Sequence, residues 1–366
     1  MSNICDYMQW RGDLTFKQSE YNEIDALILS RFSYFPFDSL IKSEETKTIE
    51  ELAREFNKKD IEKLPILWPN DKELFPLMGD SKRFGDFSVT KYINIIDAEQ
   101  EKQFSAITIF LPDNIMYISF RGTDNTIVGW KEDFNMSFKN HVAAQVSAKK
   151  YLEEIANEYP DKKILVGGHS KGGNIAIYAS AYVSNEIKDR IIKVYNDDGP
   201  GFGKEIVESS EYKEILSKVH TYIPQSSIIG RLMNHKEEYT IVESVQKGVM
   251  QHDIYSWKVL GTKFKTMNEF TNDSEFIEKT ISKWLENVEP EKREQVIDVV
   301  FEILGSTDVK TMKEIKINWF LNARKMLSSY KNIDSETKEM IWKSVSVLLK
   351  TTRENIVEEF PRLPRK

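Results

Sequence analysis

The chain has 366 residues, 40% hydrophobic and 30% charged, proportions that fit a globular protein with one α/β core and a helical addition, or two domains. With 51 basic against 58 acidic residues and a formal net charge of −7, it lacks the basic excess of a nucleic-acid binder. Cys5 is the only cysteine, which excludes an intrachain disulfide and a thiolate metal cluster.

The first residues carry no basic stretch followed by an apolar one, and no run is long enough to span a bilayer, so a cytoplasmic location is the default expectation. Residues 1–80 read as a covering segment with short helical patterns at Glu23–Leu29 and after Thr48-Ile49-Glu50-Glu51, a capping-box signature. Residues 81–262 read as the core. In it, Phe104–Phe110 and Ile115–Phe120 flank the turn signal Pro112-Asp113-Asn114 and predict an antiparallel hairpin. Apolar and small residues at helical spacing (Val142, Val146, Leu152, Ile155, Ala156) predict a helix between His141 and Tyr159.

The next stretch is the most informative. The strand-like Lys163-Ile164-Leu165-Val166 runs into Gly167-Gly168-His169-Ser170-Lys171-Gly172-Gly173 and then into a helix-like run from Asn174 to Val183. This is the context of a G-x-S-x-G nucleophile elbow, in which glycines flank a serine on a tight strand-to-helix turn. A phosphate-cradling loop would need Lys-Ser/Thr after its second glycine, whereas Lys171 stands between serine and glycine. Strand candidates follow at Ile191–Tyr195, Val219–Ile223 and Tyr239–Val242, and their alternation with helices predicts a mostly parallel sheet with helices on both faces, an α/β-hydrolase-like core. From residue 263 to 366 strand signals give way to four amphipathic segments, around Ile277–Val288, Val296–Leu304, Val309–Leu327 and Ile341–Leu348, which predict an all-helical C-terminal domain.

A serine hydroxyl needs a base, and the base an orienting acid. In an α/β hydrolase both follow the serine, acid before histidine. Of the three later histidines, His220 lies within a strand pattern and His235 in what reads as a solvated charged turn. His252, in the loop past the last strand, is the expected base. The expected acid is Asp198, at the end of the strand after the elbow and before Gly199-Pro200-Gly201, with Asp197 second. The oxyanion donors are expected to be the amides of Lys171 and of Thr123, in Phe120-Arg121-Gly122-Thr123.

With Phe120-Arg121-Gly122-Thr123, Trp130-Lys131-Glu132-Asp133-Phe134 and Gly168-His169-Ser170-Lys171-Gly172-Gly173, the chain resembles the class-three lipase-type α/β hydrolases. Within them it is most similar to a bacterial branch, through Tyr7-Met8-Gln9-Trp10-Arg11-Gly12-Asp13-Leu14, Asp198-Gly199-Pro200-Gly201-Phe202, Ile223-Pro224-Gln225-Ser226-Ser227 and Gln251-His252-Asp253. The resemblance covers roughly residues 4–262 and implies metal-free serine ester hydrolysis, with Ser170, His252 and Thr123 at the nucleophile, base and oxyanion positions.

Two departures stand out. Lys171 replaces the apolar residue usual after the serine; its ammonium would either sit at the rim and favour a polar or anionic substrate or point to solvent. Ser227 stands where the family's acid would be, so either Asp198 supplies the acid or only a Ser-His pair remains. The expected function is a serine esterase or lipase-like hydrolase of a small-molecule or lipid ester, with no cofactor and no metal. A thioesterase or amidase using the same machinery, and a non-catalytic hydrolase-like protein whose C-terminal helices bind a second copy or a protein partner, are the alternatives.

Overall fold

The computed structural model describes residues 2–60, 64–124, 126–136, 141–246 and 248–271. The four amphipathic segments between 277 and 348, and with them most of the expected domain 263–366, lie outside the described residues.

The N-terminal helices start by one shared device. In α1 (Ile4–Arg11), α2 (Glu23–Phe32) and, directly after the short strand β1 (Lys47–Thr48), α3 (Ile49–Asn57), the caps Asn3, Asn22 and Thr48 accept from the N3 amide. Asp6, Asp25 and Glu51 reach back to the cap N–H, closing a capping box each time. Helix α4 (Asp71–Gly79) completes this layer.

Then come strands β2 (Ser88–Asp97), β3 (Lys102–Leu111) and β4 (Ile115–Phe120), with β3 and β4 forming the predicted hairpin. Asp113 and Asn114 in its turn hold φ of 60° and 59°, the left-handed region those residue types tolerate. Next in order are α5 (Ile127–Asn135), α6 (Ala143–Glu158), β5 (Lys163–His169), α7 (Lys171–Tyr182), α8 (Asn185–Arg190) and β6 (Ile191–Asp197). They are followed by α9 (Lys204–Glu208), α10 (Ser210–Ile215), β7 (Val219–Pro224) and β8 (Tyr239–Val242), and by the two-residue strands β9 (Val259–Leu260), β10 (Lys263–Phe264) and β11 (Thr266–Met267). Val146, assigned to the apolar stripe of the helix before β5, is instead exposed on α6.

Among the described residues the main sheet has nine strands in the order β1-β2-β3-β4-β5-β6-β7-β8-β11. From β4 to β8 every pairing is parallel, while β1 to β4 and the β8–β11 edge pair antiparallel. A parallel block joined by helices with an antiparallel flank is the α/β-hydrolase arrangement expected from the alternating pattern. Strands β10 and β11 extend past residue 262, where strand signals were expected to end.

Period-two alternation sorts the side chains of β4 between two cores: Met116, Ile118 and Phe120 join α6, α7 and α10 on one face, and Tyr117 joins α1 to α4 on the other. Helices α1 to α4 therefore cover one face of the sheet together with Ile254, Tyr255, Trp257, Val259 and Phe264 from the C-terminal side of the core. Buried ion pairs stitch this cover: Arg31 holds Asp71 through two hydrogen bonds of 2.8 and 2.6 Å, and Arg83 pairs with Asp25, which also accepts from Tyr7. All parallel strands end on one edge, which collects the loops after β4, β5, β6, β7 and β8.

Candidate active site

Ser170 sits between the last residue of β5 and the first of α7, at φ 60° and ψ −133°, a backbone state that costs energy in a non-glycine residue. Its amide donates to Asp197 O at 2.9 Å, which ties the turn to the neighbouring strand end. Both flanking glycines are sterically required: a Cβ on Gly168 would lie 2.5 Å from the Gly172 carbonyl carbon, and one on Gly172 would lie 2.2 Å from Phe120 O. The chain thus makes a tight, strained strand-to-helix turn at Ser170.

Asp198 directly follows β6 and is buried, with φ 54°. Its amide donates to Tyr222 O on β7, and its Oδ2 lies 2.7 Å from His252 Nδ1. Oδ1 accepts from Ser227 Oγ at 2.5 Å and from the Gly230 amide at 3.1 Å. The carboxylate therefore has donors on both oxygens, as a buried charge requires. Asp197 is also buried, but neither of its oxygens has a hydrogen-bond partner, and it does not meet His252. Ser227, which stands where the resemblance would place an acid, donates its hydroxyl to the Asp198 carboxylate.

His252 is partly exposed, its side chain 21% accessible over a wholly buried Asp198. Since Nδ1 donates to Asp198, Nε2 is left as the basic nitrogen. No hydrogen bond joins it to the Ser170 hydroxyl among the described residues, a common state for a site without substrate. The backbone around His252 is tightly held. Gln251 Oε1 accepts from Ser226 N at 2.6 Å, and Trp257 Nε1 donates to Gln251 O at 2.8 Å. His169, next to the serine, lies against the His252 ring at 4.4 Å between centroids, and its Nε2 donates to His252 O at 2.8 Å. Burial and the adjacent His252 push His169 well below the usual imidazole range, so it stays neutral.

The loop after β4 faces the elbow. Ser170 Cβ lies 3.0 Å from where a Cβ on Gly122 would stand, and the Gly122 amide donates to the Tyr34 hydroxyl, which itself donates to His169 O, both at 3.0 Å. Thr123 Oγ1 donates to Asp133 Oδ2 at 2.5 Å. Burial pushes the Asp133 carboxyl up to about 6, against the pull of Lys171 and Thr123. As first residue of α7, Lys171 has an N–H without an intrahelical acceptor.

Two expectations need correction. The Lys171 side chain reaches neither the rim nor solvent: it is 1% exposed, with Nζ 2.9 Å from Glu132 Oε2. His235 is not in a solvated turn either. It pairs at 2.9 Å with buried Glu237, which also accepts from Tyr212 and Thr221; with His235 as the chief opposing influence, its carboxyl lies at about 2 despite the upward push of burial. His220 behaves as expected of a strand residue, stacking on Tyr195. Among the described residues no group of His, Cys, Asp and Glu is arranged to hold a metal ion, and no helix is long and apolar enough to cross a membrane.

A family model described as Mbeg1-like matches residues 78–302. No curated protein matches the chain. Among solved structures, the chain is similar to the Rhizomucor miehei lipase in its propeptide complex, at 17% identity over 43% of this chain and 57% of that one, with a TM-score of 0.33. The lipase from Rhizopus microsporus var. chinensis matches at 15% identity over 66% and 89% of the two chains, TM-score 0.33. The nonglycosylated LIP2 lipase of Yarrowia lipolytica matches at 12% over 64% and 81%, TM-score 0.38.

Proposed function

The chain belongs to the Mbeg1-like family, and from that premise we propose that it is a serine hydrolase of the lipase-like kind, cleaving a carboxylic ester through an acyl-enzyme on Ser170. The observation that carries this reading is the 2.7 Å contact between His252 Nδ1 and Asp198 Oδ2, presented on the same sheet edge as the Ser170 elbow.

In the proposed mechanism, His252 Nε2 takes the Ser170 proton as Oγ attacks the acyl carbon, and buried Asp198 stabilises the imidazolium that forms. The amides of Thr123 and Lys171 receive the oxygen as it becomes negative, in an environment partly closed to water. Collapse of the tetrahedral intermediate expels the alcohol, which takes the proton from His252. Water, activated by the same histidine, then releases the acid.

The test is labelling with a fluorophosphonate and mass mapping of the modified peptide. Modification at Ser170, lost in Ser170→Ala and strongly slowed in His252→Ala, is the expected result. A folded protein that takes no label refutes the reading. Matched ester, thioester and amide panels then rank the scissile bond.

A further inference from the structure

A lysine with a wholly buried side chain directly after the candidate nucleophile is the least expected residue of the site. Desolvating an ammonium costs several kcal/mol unless its protons are all engaged. Here they are. Lys171 Nζ donates to Gln103 O at 2.9 Å, to Gln103 Oε1 at 2.8 Å and to Glu132 Oε2 at 2.9 Å. Glu132, likewise 1% exposed in its side chain, takes three donors from three elements: Lys171 at the head of α7, Gln103 N on β3 at 3.0 Å and Ala144 N at the head of α6 at 2.7 Å. One carboxylate thus pins α5 against the sheet and two helix starts.

The next residue on α5 is Asp133. Its Oδ2 accepts the Thr123 hydroxyl, and its Oδ1 stands 3.9 Å from Lys171 Nζ. The elbow lysine is therefore linked to the opposite oxyanion donor by a short path: Nζ to Glu132 on α5, Asp133 on the same turn, Thr123 in the loop after β4. We propose, resting on the hydrolase reading above, that Lys171 is a positioning residue that spans the oxyanion site: its amide serves one side, and its buried side chain sets the other by fixing α5 and hence Thr123. The apolar residue usual after the serine in similar hydrolases could not bear on Asp133 in this way.

The experiment is a double-mutant cycle on the full-length protein with p-nitrophenyl butyrate as probe, normalised to the number of sites titrated by fluorophosphonate. Counting labelled sites removes any loss due merely to unfolding. Lys171→Met and Thr123→Val each keep the backbone amide. Each should lower kcat per labelled site by at least about tenfold, a fraction of what losing a whole oxyanion donor does, with KM changed by less than about threefold. Because both act on one path, the double variant should fall no more than about threefold below the worse single variant. Losses that multiply, or Lys171→Met turning over at the wild-type rate per labelled site, would overturn the proposal. If Lys171→Met does not fold, Lys171→Gln, uncharged but able to bond Gln103, takes its place in the same cycle. A labelled wild type with multiplying losses defeats this inference alone. A wild type that takes no label defeats the hydrolase reading and this one with it.

Discussion

Asp197→Asn has a calculable effect on stability. Asp197 is the last residue of β6, fully buried, with both carboxylate oxygens lacking a hydrogen-bond partner. Burial, against the pull of the nearby Ser30 hydroxyl and aided by the charges of Asp198 and Glu23, pushes its carboxyl from the usual 3.8 up to about 7. In the unfolded chain it ionises near its ordinary value. Between those limits the native state holds a proton that the unfolded state has released, so stability falls as pH rises through that window. Below pH ~4 the stabilisation is fully present, and above pH ~7 it is gone. Three units correspond to about 4 kcal/mol. Asparagine has nothing to lose over the same range. The variant should match the wild type within about 1 kcal/mol at pH 4 and exceed it by up to about 4 kcal/mol at pH 8. Urea unfolding at half-unit intervals measures this. Other raised carboxyls, such as Asp133, contribute equally to both proteins and cancel in the difference. Parallel curves would refute the reasoning, for they would mean that Asp197 is ionised and solvated in the native state.

Asp198→Asn should lower kcat/KM by roughly a thousandfold to ten-thousandfold with the fold retained, because His252 loses the charge and the tautomer it depends on; steady-state hydrolysis read beside Asp197→Asn separates the two carboxyls. Ser227→Ala removes one donor to Asp198 Oδ1 and leaves the Gly230 amide. A loss of about tenfold in kcat is expected, measurable with the same ester, and an unchanged rate would show that the hydroxyl is idle. Asp71→Ala strands the Arg31 guanidinium in the covering layer and should cost about 3–5 kcal/mol by chemical denaturation.

The elbow was legible because it is local: strand, Gly-x-Ser-x-Gly and helix are contiguous, and chirality and sterics leave that sequence one way to turn. The place of Asp198 on the rim beside His252 was legible from position alone, since parallel strands end on one edge. Ser227 was ambiguous in a linear reading. What it lacks as an acid it supplies as a donor to a carboxylate at the end of the neighbouring strand β6, a relation visible only in three dimensions. Lys171 was misplaced because its partners, Gln103 and Glu132, are 68 and 39 residues away in sequence. His235 was misread for the same reason, its neighbourhood Lys236-Glu237-Glu238 looking solvated until Tyr212 and Thr221 close over Glu237. Strand β2 escaped notice because its alternation is interrupted: the register shifts between Thr90 and Ile93, around Lys91 at φ 56°. Strands β9 to β11 are two residues each, too short to show a period.

The Tyr34 hydroxyl joins the loop after β4 to the strand end before Ser170, yet Tyr34 belongs to the N-terminal cover. Ser119 Oγ, one strand turn below, likewise donates to Leu29 O on α2. The layer is consequently bonded directly to the segments that carry the proposed site and is not an outer coat. A fragment started after α4 would keep every residue of the proposed triad and still lose the hydroxyl that ties Gly122 to His169, so the first helices of the chain belong to the smallest unit that keeps this geometry.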